Sequence, residues 1–116
     1  MTRLAQIISH NEGFGIPNAT PTTHNNPGDL RHSPHSLHPT DPNGIGVIDT
    51  PEHGWEDLER QLEIYAKRGM TLKELAYTYA PPADNNNTVA YLNSICTGLS
   101  LPETALVSTA LLIGAN

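Results

Sequence analysis

A single cysteine, Cys96, leaves this chain of 116 residues without the means to close an intramolecular disulfide, so nothing in it demands an oxidising compartment. Cys96 stands in an apolar helical stretch and reads as a small core residue. Basic residues are scarce: six Lys and Arg face twelve Asp and Glu, a formal charge of −6, which excludes the electrostatic footprint of a nucleic-acid binder. The same balance does not favour attraction to an anionic cell wall. No apolar run approaches the length of a membrane span, and Met1 to His10 lacks the apolar region of a secretory signal. The expectation is a protein made in the cytoplasm, with no membrane partner and with export arranged by something else.

Proline and glycine are not scarce. Ten Pro and nine Gly point to long irregular connections between packed elements, and the length is that of a single domain over 1–116. Thr2 caps a first helix whose apolar positions Leu4, Ile7 and Ile8 deliver Asn11 and Glu12 at its end, before Gly13 and Gly15 break it. Polar loop follows to about Asn26. Residues 27–31 and 46–49 read as two short strands, and His32 to Gly44, with Pro34, Pro39 and Pro42, as an irregular flap between them.

Helical signals dominate from Thr50. Thr50-Pro51-Glu52 combines an N-cap, a first-turn proline and an acid, and Trp55, Leu58, Leu62 and Tyr65 share one face. Gly69 ends that helix. Thr71 with Glu74 is a capping box ahead of Leu72, Leu75, Ala76 and Tyr79, and Pro81-Pro82 stops the run. The polar stretch Asn85 to Thr88 opens a helix bearing Val89, Leu92, Ile95 and Leu99. Ser100 with Glu103 is expected to cap a last helix reaching Leu112. There is no internal repeat. The fold class is α+β, mostly helical, with a small hairpin beside a helical body.

Chemistry concentrates around Glu12. Cleavage of a glycosidic bond needs a proton donor at the leaving oxygen, and a carboxyl group serves when an enclosed site raises its pKa. A helix C-terminus also favours the protonated form, and Phe14 and Ile16 are expected to cover it. Asn25-Asn26-Pro27-Gly28-Asp29-Leu30-Arg31 concentrates amides before a turn. Gly44 to Trp55 reads as a returning strand and a capped helix, and Tyr79-Ala80-Pro81-Pro82 runs through Asn85-Asn86-Asn87-Thr88 to Tyr91.

Taken in this order, these blocks resemble a family of small phage and bacterial lysozyme-like proteins. Its pattern is a helix ending Glu-Gly, then Asn-Asn-Pro-Gly-Asn-Leu-Arg, then Thr-x-x-x-Gly-Trp, then Ala-Pro-Pro before Asn-Asn-Thr and Tyr. The likeness covers roughly residues 7–98. It implies a lysozyme-like fold with a sugar groove between hairpin and helical body. It also implies cleavage of the β-1,4 bond between N-acetylmuramic acid and N-acetylglucosamine in peptidoglycan, by a muramidase or lytic transglycosylase without a cofactor. Glu12 matches the catalytic acid and base. Asn25 and Asn26 match an amide pair, and Asn87, Thr88 and Tyr91 match a polar segment facing the acid. Tyr79 joins them as a substrate contact, since its hydroxyl needs a polar partner that a sugar groove supplies.

Asp29 stands where the family more often has Asn and reads first as a turn anchor, and Arg31 as readily as a hairpin ion-pair donor as a ligand contact. Asn25, Asn26 and Asn86 are equally turn and cap residues. No other acid lies between Gly13 and Gly28, which favours the transglycosylase outcome, with hydrolysis still open. His32, His35 and His38, with His24 and His53 nearby, invite a metal reading. A Pro-rich flap does not by itself fix ligand geometry, so the expectation is a polar surface loop without a metal that activity requires. The partners implied are peptidoglycan glycan strands and other phage virion or lysis proteins, for a monomer acting on the bacterial wall after phage-type release. The alternative is a non-catalytic glycan-binding or virion structural protein, or one domain of a longer virion protein.

Overall fold

Thr2 opens the first helix as expected: its side chain accepts from the Ala5 amide at 3.2 Å. In the computed structural model, which describes residues 1–115, α1 spans Arg3–Glu12 and stops at Gly13, whose φ of 95° is open to glycine at little cost. The carboxylate of Glu59 takes the Thr2 amide at 2.9 Å and its hydroxyl at 2.6 Å, so the start of α1 is tied to the middle of the next long helix. A four-residue turn of helix, α2, covers Thr20–Thr23.

The sheet differs from the expectation. Two strands, β1 (Ser36–Leu37) and β2 (Val47–Ile48), pair antiparallel with Ser36 opposite Ile48 and Leu37 opposite Val47. The return strand lies within residues 46–49, but its partner comes from the segment expected to be an irregular flap. Residues 27–31 do not form a strand. The Asp29 amide bonds to the Asn26 carbonyl at 3.0 Å, and Asp29 takes a left-handed φ of 51°. The chain there turns, and Asn26 reinforces the backbone bond from the Gly46 amide to the Leu30 carbonyl at 2.9 Å. Its Nδ2 donates to the Leu30 and Gly46 carbonyls at 2.8 and 2.9 Å, and its Oδ1 accepts from the Leu30 amide at 2.9 Å.

Helix α3 (Pro51–Lys67) begins at Thr50, whose side chain accepts from His53, and α4 (Leu72–Tyr79) begins at the full capping box of Thr71 and Glu74. A 3-10 turn at Pro82–Asp84 leads to α5 (Thr88–Leu99). The expected last helix is cut to α6 (Val107–Ala110). Ser100 caps nothing ahead of it; it sits left-handed at φ 55° and ends α5. The segment after it turns instead, the Ala105 amide bonding to the Pro102 carbonyl at 3.0 Å, and its Glu103 and Ala105 carbonyls accept the Lys73 and Leu72 amides at 3.1 and 2.9 Å. Those amides belong to the first turn of α4, where no partner exists within the helix.

Leu4 and Ile8 of α1, Leu58 and Leu62 of α3, Leu72 and Leu75 of α4, Ile95 of α5 and Val107 of α6 are fully buried in one apolar cluster. Cys96 is a free thiol packed at its edge. The fold is α+β and mostly helical, with a small two-stranded sheet to one side. Among the described residues, no helix is long and apolar enough to cross a membrane.

Candidate functional site

Three contacts between α1 and α5 set the position of Glu12. Gly98 lies so near Ile7 that a Cβ on it would come within 2.5 Å of Cδ1, Asn11 Nδ2 donates to Ser94 Oγ at 2.7 Å, and the Tyr91 hydroxyl donates to Glu12 Oε2 at 2.7 Å. Positions 7, 11 and 12 thus meet 98, 94 and 91. Ile7 and Asn11 lie one turn apart on α1, as do Gly98, Ser94 and Tyr91 in turn on α5. The two sets run in opposite directions, as antiparallel helices require. Glu12 follows Asn11 at the end of α1.

Its carboxyl group opens on a cleft of about 570 Å³, between the Gly28–His32 turn with Ile45 on one side and α3, α4 and the Pro81–Asn86 connection on the other. Burial raises the Glu12 pKa from 4.5 to about 7, the Tyr91 hydrogen bond opposes that rise, and the negative charge of Asp29 adds to it. The apolar cover assigned to Phe14 and Ile16 is corrected in part. Ile16 is 60% exposed, while Phe14 stands edge-on to Trp55 with centroids 5.4 Å apart. Tyr91 and Tyr79 supply the enclosure instead, their rings 6.2 Å apart and nearly parallel, with Tyr65 edge-on to Tyr79 at 6.4 Å.

Asp29 lines the same cleft, and burial together with the charge of Asp41 raises its pKa against the opposing effects of Arg31 and His24. Asp29 Oδ1 and the Tyr79 hydroxyl are buried without a hydrogen-bond partner among the described residues. Two such atoms beside a carboxyl group that also resists ionisation gather an energetic cost in one place, as functional sites do.

The remaining site residues from the sequence divide by position. Asn26 is fully buried and all its amide bonds go to backbone, so it shapes the turn that carries Asp29 and does not face the cleft. Asn25 binds the Ile48 carbonyl at 3.0 Å and fastens the same loop to β2. Thr88 is buried and donates to the Ala80 carbonyl, joining the end of α4 to the start of α5, and Asn87 caps α5 by accepting from Ala90 at 3.0 Å. Arg31 lines the cleft and donates to the Asn43 carbonyl at 2.8 Å, a bond across the flap rather than an ion pair. Glu12, Asp29, Tyr79 and Arg31 meet at the cleft, with Tyr91 behind Glu12.

Asn86, weighed with Asn25 and Asn26 from the sequence, lines the cleft, which also holds residues that the sequence did not single out for it: Gln61, Thr78 and Asp84. Gln61 had a signal, since it breaks the apolar stripe of Leu58, Leu62 and Tyr65 with a polar side chain.

Gly54 and the amide loop explain each other. A Cβ at Gly54 would collide with the Asn25 carbonyl oxygen and stand 2.8 Å from Pro27 Cδ, so only glycine lets Asn25-Asn26-Pro27 lie on the first turn of α3. The spaced His32 and His38 are exposed and are not drawn into one cluster with His35. No protein-family model, curated protein or solved structure matches the chain.

Proposed function

We propose that the protein is a peptidoglycan-cleaving glycosidase with a lysozyme-like fold, in which Glu12 acts first as acid and then as base. The observation that carries this reading is the carboxyl group of Glu12, on the wall of an open cleft with its pKa raised to about 7. At neutral pH about half of such groups hold a proton, the condition in which an acid and its conjugate base are both at hand. Because Oε2 accepts from Tyr91, the proton of the neutral acid is left to Oε1, free to pass to the glycosidic oxygen. The bond between that oxygen and the anomeric carbon then breaks toward an oxocarbenium-like state.

The second step favours a transglycosylase. No acid lies between Gly13 and Gly28 to act as a carboxylate nucleophile, and Asp29, whose charge raises the Glu12 pKa, is fixed in a left-handed turn. The substrate's own 6-hydroxyl can instead close on the anomeric carbon while ionised Glu12 takes its proton, giving a 1,6-anhydro end. The unpartnered Tyr79 hydroxyl and Asp29 Oδ1 support the cleft as a place where sugar hydroxyls find partners.

Digestion of purified peptidoglycan, read by mass spectrometry of the released fragments, tests activity and outcome together. Anhydro ends are expected, absent with Glu12→Gln; free reducing ends would make the enzyme a hydrolase. Binding without any new ends, from a folded protein, would make the cleft a glycan-binding groove and overturn the enzyme reading.

A further inference from the structure

The fold brings His35, just before β1, against His53 and Glu56 of α3, with one ligand-capable atom of each within 4.8 Å of the others. The two imidazoles lie face to face at 3.9 Å, only 10° from parallel. Each ring is oriented by a carboxylate: His35 Nδ1 lies 2.6 Å from Asp57 Oδ1, and His53 Nδ1 lies 2.7 Å from Asp49 Oδ1. Asp57 is 2% exposed, and its other oxygen takes the His35 backbone amide at 2.9 Å, so the ring and its backbone are held together.

We propose that His35, His53 and Glu56 form a binding site for one divalent transition-metal ion of the zinc class, which clips the flap to the first turns of α3. The donor set, two imidazoles and a carboxylate with a fourth position for water, is one such ions take. An Nδ1–H donated to a carboxylate leaves Nε2 with its lone pair for the metal, and a carboxylate behind each histidine ligand is the usual supporting arrangement. Three acids, Asp49, Glu56 and Asp57, surround the two rings and make the place attractive to a cation. A tetrahedral site needs donors about 3.3 Å apart. Rotation of the exposed Glu56 side chain, with a tilt of the part-exposed His35 and His53 rings about their Nδ1–carboxylate bonds that opens the stack, closes the difference.

None of the three residues lines the cleft on which Glu12 opens, and the ion enters no step of the proposed reaction. It joins two segments separated in sequence, so ion binding stabilises the folded flap by mass action.

Titration of the metal-stripped full chain with Zn²⁺ by calorimetry, and with Co²⁺ by visible absorption, tests it. One ion per chain, a tetrahedral cobalt spectrum and a melting temperature that rises with Zn²⁺ are expected. His53→Ala removes a ligand and should abolish all three. Asp49→Ala removes only a supporting carboxylate and should weaken binding about 10–100-fold. Both positions are near the surface, and Glu56→Gln, at an exposed residue, gives a further variant should either lose its fold. Zinc binding no tighter than about 1 mM, or binding equal in wild type, His53→Ala and Glu56→Gln, would overturn the assignment.

Discussion

Glu12→Gln separates a proton donor from a mere helix-end acid by stability as well as by rate. In the unfolded chain the carboxyl group loses its proton near pH 4.5, and in the fold it holds it to about 7. Between those values the native state binds more protons than the unfolded one, so stability falls as pH rises through the window. Below pH 4.5 both states are protonated and the cost is absent; above 7 it is complete. At about 1.4 kcal/mol per pKa unit, that cost reaches about 3 kcal/mol. Gln keeps the shape and an acceptor for Tyr91 but never ionises. The variant should therefore match wild type at pH 4 and exceed it at pH 8, with a melting temperature higher by about 10 °C for a domain of this size. Circular-dichroism melts of both proteins at the two pH values measure this difference, and titrating groups not coupled to Glu12 cancel in the comparison. Turbidity clearing should fall by about 10²–10⁴-fold in the same variant. A stability difference independent of pH would show that Glu12 ionises like a surface acid, and the argument for a tuned donor would fail with it.

Other consequences follow from the same contacts. Tyr91→Phe removes the hydrogen bond that holds the Glu12 pKa down, so the alkaline limb of the pH–rate profile should move up by about one unit; an unmoved limb would detach Tyr91 from the acid. Asp29→Asn removes a negative neighbour, so that limb should shift to lower pH while most activity remains, and a loss as deep as that of Glu12→Gln would make Asp29 a catalytic partner. Gly54→Ala drives a methyl group into the Asn25 carbonyl and should cost about 3 kcal/mol in denaturant unfolding, whereas a neutral result would mean the amide loop does not rest on α3 as described. Chelation should leave clearing in place; loss restored by added zinc would give a metal a role in the reaction.

What was legible in the sequence is what depends on neighbours along the chain. Thr2, Thr50 and Thr71 cap the helices they precede, and the apolar stripes of α1, α3, α4 and α5 face one core, save Val89, which is left exposed in the first turn of α5, because capping and periodicity are settled within a few residues. The failures share the opposite cause. Residues 27–31 look like a strand by composition, yet Asn26 takes the Leu30 and Gly46 carbonyls with a side chain, which no alternation pattern records. Ser100 and Glu103 look like a cap, but the segment is recruited to complete the first turn of α4. Glu12 was legible as a candidate from its helix end. Its raised pKa, however, depends on burial and on groups as far along the chain as Tyr91. The histidines make the same point most sharply. Equal spacing suggested His32, His35 and His38 as a set, whereas the fold keeps only His35 of these and completes the cluster from α3. Spacing fixes ligand geometry where a helix or tight turn makes it geometric; in a proline-rich flap it does not, and there the partners are chosen by what the flap folds against.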